Sequence, residues 1–342
     1  MGWVNPTHYE NLPGNKHHAN LDSMAMAAKA HYPSQLITFI AIDDDEPQVL
    51  VNMSPTWNPA DQQRHQLQFD SRTGKLLNDA PPEAKKPLLW TDVIFKLHTD
   101  MFAGLPGELF LGLMGLLFVI SIISGVVLYG PFMKKLDFGT IRYGRSKRLK
   151  WLDLHNLLGI ATAVWLFVVG ATGVMNELST PLFGIWQITD VKAMLAKYKG
   201  TPITDQTQLG SAETAYQNAL KAAPGMTATS IIFPGYPFGS PLHYVVWTKG
   251  NKALTSRLFT PILIDGKTSQ LTAVVKMPVY LRALEVSRPL HFGDYGGTPL
   301  KILWVLFDVV AIIVLVSGVY LWIVRRKFYA DHFQKLEAEA AA

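Results

Sequence analysis

Three stretches of this 342-residue chain carry almost no charge: residues 109–129, 157–175 and 302–324. Each is close to the ~20 residues that a helix needs to cross a ~30 Å hydrocarbon layer, so each predicts a membrane-spanning helix. The polar regions between them follow other periods. Apolar residues recur at helical spacing over 21–31 and then give way to strand-like runs at 36–42, 65–69 and around Thr73-Gly74. A second region repeats that order, with helical spacing at 212–223 and strand-like runs at 229–233, 243–247 and 263–267. A helix followed by strands and glycine turns predicts a small α+β unit in each region.

The repetition extends into the membrane segments. Leu97-His98 leads to Gly104, Pro106 and Ser124-Gly125-Val126, and Leu290-His291 leads to Gly297, Pro299 and Ser317-Gly318-Val319, with every spacing kept. An internal repeat of this kind predicts equivalent helices that offer an imidazole at the same depth. The run at 157–175 leads into the second α+β region, so the same logic places a matching helix ahead of the first. The expectation is a four-helix bundle of which three helices lie in this sequence. Met1-Gly2-Trp3-Val4 agrees, having neither a basic nor an apolar leader segment to carry a polar region across a membrane. Processing or a second polypeptide would account for the fourth helix.

Composition supports a membrane protein: 49% of residues are hydrophobic, 17% are charged, and the mean hydropathy is +0.16. That is too apolar for an ordinary two-domain soluble protein. The net charge of +5 is concentrated in Lys134, Lys135, Arg142, Arg145, Lys147, Arg148 and Lys150, and in Arg325, Arg326 and Lys327. Basic short connections face the cytoplasm, so the charge reads as an orientation signal and calls for no nucleic acid. His98 and His291 then face the outer side, and His155 faces the cytoplasm. The absence of cysteine excludes disulfides, thiolate-ligated zinc, iron–sulfur clusters and covalently attached haem.

The organisation expected is therefore an outer α+β unit at 1–96, a spanning helix with an outer histidine at 97–131 and a basic cytoplasmic loop at 132–153. A spanning helix at 154–176, a second outer unit at 177–289, a spanning helix with an outer histidine at 290–324 and a cytoplasmic tail at 325–342 complete it. Neutral imidazole at the end of a membrane helix is the usual protein ligand of non-covalent haem, and a pair on facing helices gives six-coordinate iron. A single histidine at a membrane edge is by default solvated; duplication alongside Gly and Pro makes His98 and His291 candidate ligands of one iron. His155, in Asp153-Leu154-His155-Asn156-Leu157-Leu158-Gly159, lies at the opposite face. It needs another partner, from the fourth helix or, less well placed, His332.

Other candidates are weaker. Arg288, three residues before His291, suits a haem propionate or a lipid phosphate. Asp308 is the only charge inside the three apolar runs. Tyr236, Phe238, Tyr244 and Trp247 are candidate linings for a chelate, while Trp151, Trp165, Trp304 and Trp322 read as interface or packing aromatics. His8, His17, His18, His31, His65 and His243 read as solvated or hydrogen-bonded.

The segments Leu97 to Gly104, Leu154 to Gly159 and Arg288 to Gly297 resemble the signature segments of the PepSY-associated transmembrane family, and the paired outer units resemble PepSY domains. The resemblance implies a membrane α-helical bundle carrying two periplasmic α+β PepSY-like units in a bacterial inner membrane. It further implies a haem b-containing oxidoreductase of iron uptake, a transmembrane ferric-siderophore reductase. In that pattern His98 and His291 hold the outer haem iron, and His155 with a first-helix histidine holds the inner one. The partners implied are a ferric siderophore, a cytoplasmic electron donor and the lipid bilayer. Two rival classes are a non-enzymatic PepSY module that binds peptides or regulates, and a transporter component.

Overall fold

The computed structural model describes residues 18–43, 46–58, 63–80, 89–134, 137–237, 239–252 and 254–341. In chain order the elements begin with α1 (Leu21–His31), β1 (Leu36–Ile42), β2 (Gln48–Ser54), β3 (His65–Asp70), β4 (Leu76–Ala80), α2 (Trp90–Thr99), α3 (Leu105–Met133) and α4 (Lys147–Glu177). They continue with α5 (Ser179–Trp186), a π-helical turn at Gln187–Val191, α6 (Lys192–Leu195), α7 (Ala212–Ala222), β5 (Met226–Ile232), β6 (His243–Gly250), β7 (Phe259–Asp265), β8 (Leu271–Val274), α8 (Val279–Phe292) and α9 (Gly297–Ala341). They fall into two compact units. A sheet unit combines the described residues up to Leu89 with Phe183–Glu285, and a helical unit combines Trp90–Leu182 with the residues from Val286.

The sheet unit joins both α+β copies in one eight-stranded antiparallel sheet of order β4-β3-β2-β1-β5-β6-β7-β8. The join is the pairing of β1 with β5, in register Phe39↔Ile232, Ile40↔Ile231 and Ala41↔Ser230. Two separate units were expected at 1–96 and 177–289. Pairing their first strands removes two open sheet edges, each a row of unsatisfied backbone groups. Leu21, Met24 and Ala28 of α1 and Ala212, Ala215, Tyr216 and Ala219 of α7 cover one face, over a core that includes Val51, Phe69, Ile231, Val246 and Ile262.

The two helices also complete each other's first turns. Helix N-termini leave N–H groups without intrahelical partners. Asp22 of α1 accepts from the Ser211 hydroxyl (2.5 Å) and from the backbone N–H groups of Ala212 (2.7 Å) and Glu213 (3.2 Å), and Glu213 of α7 accepts from the Leu21 N–H (3.0 Å). Each carboxylate thus faces the positive end of the other helix. The copies are locked together twice, once through the sheet and once through this exchange.

In the helical unit three helices are long and apolar enough to cross a membrane: Leu105–Pro131, Lys147–Glu177 and Asp294–Ala330. The middle helix, α4, packs against both α3 and α9. Small residues allow the close approach, with Gly170 of α4 set under Phe118 and Val119 of α3. Side chains such as Leu117, Ile120, Val309 and Ile312 are exposed, as lipid-facing positions are in a chain viewed without its bilayer.

Three boundaries differ from the sequence reading. His98 and His291 lie on the separate short helices α2 and α8, and the chain turns a corner before each span. Met101, Phe102 and Gly104 adopt left-handed backbone at the first corner, as do Gly293 and Gly297 at the second. Gly107 is required at the first, because a Cβ there would sit 1.8 Å from the Asp100 carbonyl oxygen. The helix expected to begin at 154 starts instead at Lys147. Ser146 caps it, and Asp153 accepts from the Arg142 side chain (2.7 and 3.0 Å) and backbone (2.9 Å). The last helix continues past 324 because Arg, Lys, Glu, Leu and Ala dominate the segment beyond it and no Gly or Pro interrupts.

Candidate functional site

The two best-connected histidines of the helical unit are held in the same way. His291 of α8 turns its Nδ1 to the Val169 carbonyl of α4 (3.0 Å) and to the Thr172 hydroxyl (3.3 Å). A Cβ on Gly173 would lie 3.3 Å from the His291 ring, a tight approach that would press the imidazole from its place by a few tenths of an ångström. His155 of α4 turns its Nδ1 to the Val314 carbonyl of α9 (3.0 Å) and to the Ser317 hydroxyl (3.0 Å), and a Cβ on Gly318 would lie 3.2 Å from its ring. Each imidazole therefore rests on a carbonyl, a hydroxyl three residues on and a glycine four residues on. A carbonyl only accepts, so Nδ1 carries the proton in both rings and Nε2 keeps its lone pair.

The surroundings fix these rings further. Ser287, one turn before His291, donates to Asn176 (2.7 Å), and with the His291–Thr172 contact this makes a two-rung ladder between α8 and α4. His98 lies across from His291, with ring centroids 6.2 Å apart and planes inclined by only 24°. The bend after His98 is braced by Asp100, which pairs with Lys96 and accepts from the Phe102 N–H (2.9 Å). The Lys96 ammonium holds the Asp100 carboxyl below its usual range. Asp308, one-third of the way along the last apolar run, interacts electrostatically with both His291 and His98. Arg288 is exposed on α8 one turn before His291.

His155 opens onto a cavity of about 350 Å³ between α3, α4 and α9. Its lining is largely apolar, with Phe118, Ile122, Ile160, Leu166, Leu315 and Val319 beside small Gly125, Gly159 and Gly318. His332, the weaker candidate partner for His155, has its side chain outside the described residues, as do His8 and His17 in full. The rings of His98 and His291, expected to share one iron, lie 6.2 Å apart between centroids. His155 meets none of the other histidines described in this unit.

Sequence reasoning missed the seats themselves. Thr172-Gly173 lacks the flanking markers of the duplicated segment, although its resemblance to Ser317-Gly318 was available as a signal. Two further histidines make structural contacts. His65 stacks on Tyr32 (3.9 Å between centroids), and His243 is buried beside the Ser240 hydroxyl (2.9 Å). Among the aromatics, Tyr244 belongs to the core, donating to the Gly210 carbonyl (2.7 Å), and Tyr236 is buried near Phe39; Phe238 lies outside the described residues. Trp247 lines a cavity of about 480 Å³ with Trp186, Met194, Leu195, Val245 and Leu263. Trp165 is buried against Trp304 and Phe307 rather than at an interface.

Residues 1–325 match the family described as the PepSY-associated TM region. The chain belongs to the PepSY-associated transmembrane family. An uncharacterized protein of Pseudomonas aeruginosa is 26% identical to this family member over 267 residues, covering 70% of this chain and 65% of its own length. The chain thus spans just under two thirds of that relative. A putative lipoprotein of Clostridium difficile 630 aligns with 79% of this chain and all of its own at 11% identity, with a TM-score of 0.30, too low to carry an argument. Membership of the PepSY-associated transmembrane family accounts for three apolar helices accompanying α+β units.

Proposed function

We propose that this PepSY-associated membrane protein is a haem-dependent oxidoreductase that carries electrons across a bacterial inner membrane to a ferric siderophore on the periplasmic side. The observation that carries the proposal is the treatment of its histidines. A histidine that ligates a metal commonly donates its other ring N–H to a carbonyl, a carboxylate or water, which fixes the tautomer and aims the donor nitrogen. His291 and His155 are both held so, by equivalent groups on neighbouring helices.

The residues fit haem better than a bare metal. Among the described residues no cluster of three or more His, Asp or Glu is arranged to hold an ion, whereas a porphyrin supplies four nitrogens and asks the protein for two. His98 and His291 lie with their ring centroids 6.2 Å apart. These two would hold the outer haem, and His155, on its apolar cavity, would hold the inner one. Haem supplies one-electron exchange.

The chain's own groups then do the rest. Nδ1–H bonds to backbone carbonyls keep Nε2 unprotonated and oriented, Arg288, one turn before His291, would supply a cation to a propionate, and Asp308 would act on the outer pair electrostatically. The levels of His155 and Gly173 lie about 27 Å apart along α4, at 1.5 Å of rise per residue, so paired sites divide the width of the bilayer. Basic connections orient the His155 level toward the cytoplasmic electron donor. Fe³⁺ leaves an oxygen-rich chelator once reduced, because Fe²⁺ is held less well by hard ligands.

The test is electron transfer across vesicles. Haem-loaded protein in liposomes with trapped dithionite should reduce an external ferric chelate, read with a ferrous-specific dye. Reduction no faster than in protein-free liposomes would overturn the proposal.

A further inference from the structure

The sheet has a second face, and over β6 and β7 that face is hollow. Val245 and Trp247 of β6 pair with Leu263 and Pro261 of β7. Side chains alternate along a strand, so these four point away from the core residues Val246 and Ile262. Trp186 at the end of α5, the π-helical turn and α6 lie over them and leave the cavity of about 480 Å³ between. Small-molecule sites have this size and this kind of lining, mostly apolar with a few polar groups that fix the ligand's orientation. π-helical turns are rare and recur at functional sites.

Two polar groups say what such a ligand carries. Trp186 is only 6% exposed, and among the described residues its indole N–H has no acceptor. A buried donor left unpaired costs free energy that a bound acceptor would recover. Lys192 is the only charged side chain among the described residues that line the cavity; it is exposed, and among those residues it has no ion-pair partner. An indole N–H and an ammonium on one short segment call for an anion, whereas walls such as Leu195, Val245 and Leu263 call for hydrocarbon. We infer that the cavity binds a single-chain anionic amphiphile, its acyl chain between α6 and the sheet and its acidic head held by Trp186 and Lys192. A small inorganic anion would leave the apolar walls wet, and a neutral hydrocarbon would leave the indole N–H unpaired. The inference requires no haem.

The test photolabels the full chain in nanodiscs with a diazirine-bearing palmitate and locates the label by mass spectrometry, with the lipid-facing peptides of the spanning helices as internal reference. Peptides covering 186–195 and 245–263 should be labelled saturably, and excess oleate or lysophosphatidylglycerol should compete. The better competitor tells a free fatty acid from a lipid headgroup. Relative to the reference, the methyl ester of the label should mark these peptides about fivefold less, the scale of one exposed ion pair, and Lys192→Gln should lower marking by the acid to a similar degree. Trp186→Phe keeps a ring and removes the donor; it should also cost about fivefold while leaving thermal stability without the label no lower, which a merely structural indole would not do. No marking of these peptides, marking that does not saturate, equal marking by the ester, or marking unchanged in both variants would overturn the inference.

Discussion

The two units treat the same duplication differently. In the sheet unit both copies are complete and mutual: β1 pairs with β5, Asp22 caps α7, and Glu213 caps α1. In the helical unit the second copy exchanges histidines, whereas a Cβ on Gly125 of α3 would meet nothing within 4 Å and His98, 6.2 Å from His291, has no hydrogen-bond partner for its ring among the described residues. A sheet can close its repeat by pairing one edge with another. A helix bundle closes only when every helix has a neighbour for each polar or small-residue face, because lipid satisfies none of these groups.

The largest effect tests the helical unit. His291→Ala should abolish haem binding at the outer pair and His155→Ala at the inner cavity, each removing one component of the visible spectrum after reconstitution; His98→Ala should leave outer iron five-coordinate and high-spin. The reciprocal capping of the sheet unit comes next. Asp22→Ala removes three hydrogen bonds across the two helices and should cost about 1–2 kcal/mol in denaturant unfolding of that unit, with Glu213→Ala, which loses one bond to α1 and one to the exposed Gln217 of its own helix, nearer the lower figure. Equal losses would show that the exchange is not shared as the contacts suggest.

Glycine replacements sharpen the contrast between filled and open seats. Gly318→Ala and Gly173→Ala push against His155 and His291 and should lower both thermal stability and haem affinity, while Gly125→Ala gains helix propensity of up to about 1 kcal/mol with nothing in its way. A smaller effect is expected of Ser317→Ala and Thr172→Ala. Each loses one side-chain bond worth about 1 kcal/mol but keeps the carbonyl, so the ligand stays in place and only the haem potential shifts.

The smallest prediction concerns pH. Burial holds the His243 imidazole below its ordinary value, with Asp265 opposing weakly. The unfolded chain then binds the proton more readily than the folded one. Stability of the sheet unit should fall as pH drops below about 6.5 and flatten below the depressed folded value; His243→Gln should reduce that slope.

Much of this was legible in the sequence, for identifiable reasons. The helix at 21–31 and the strand at 36–42 coincide with α1 and β1, because both show uninterrupted periodicity between clear breakers. β2 and β8 were missed: β2 lies in a run preceded by acidic residues, and β8 has only four residues. The repeat spacing singled out His98 and His291, whose ring centroids lie 6.2 Å apart. It placed them on the spanning helices, however, because the corners at Gly104 and Gly293–Gly297 turn on backbone angles that apolar periodicity does not encode. The seats at Thr172-Gly173 and Ser317-Gly318 were missed for a related reason: their likeness stands in the sequence, but which helix lies over a glycine is a tertiary fact.

The most direct measurement is the electron paramagnetic resonance spectrum of the haemin-reconstituted protein beside His98→Ala. Low-spin ferric signals of two-imidazole ligation in the wild type, replaced at the outer site by a high-spin signal in the variant, are what the paired geometry of His98 and His291 predicts. A wild type that takes up no haem, or a variant with an unchanged low-spin spectrum, would contradict it.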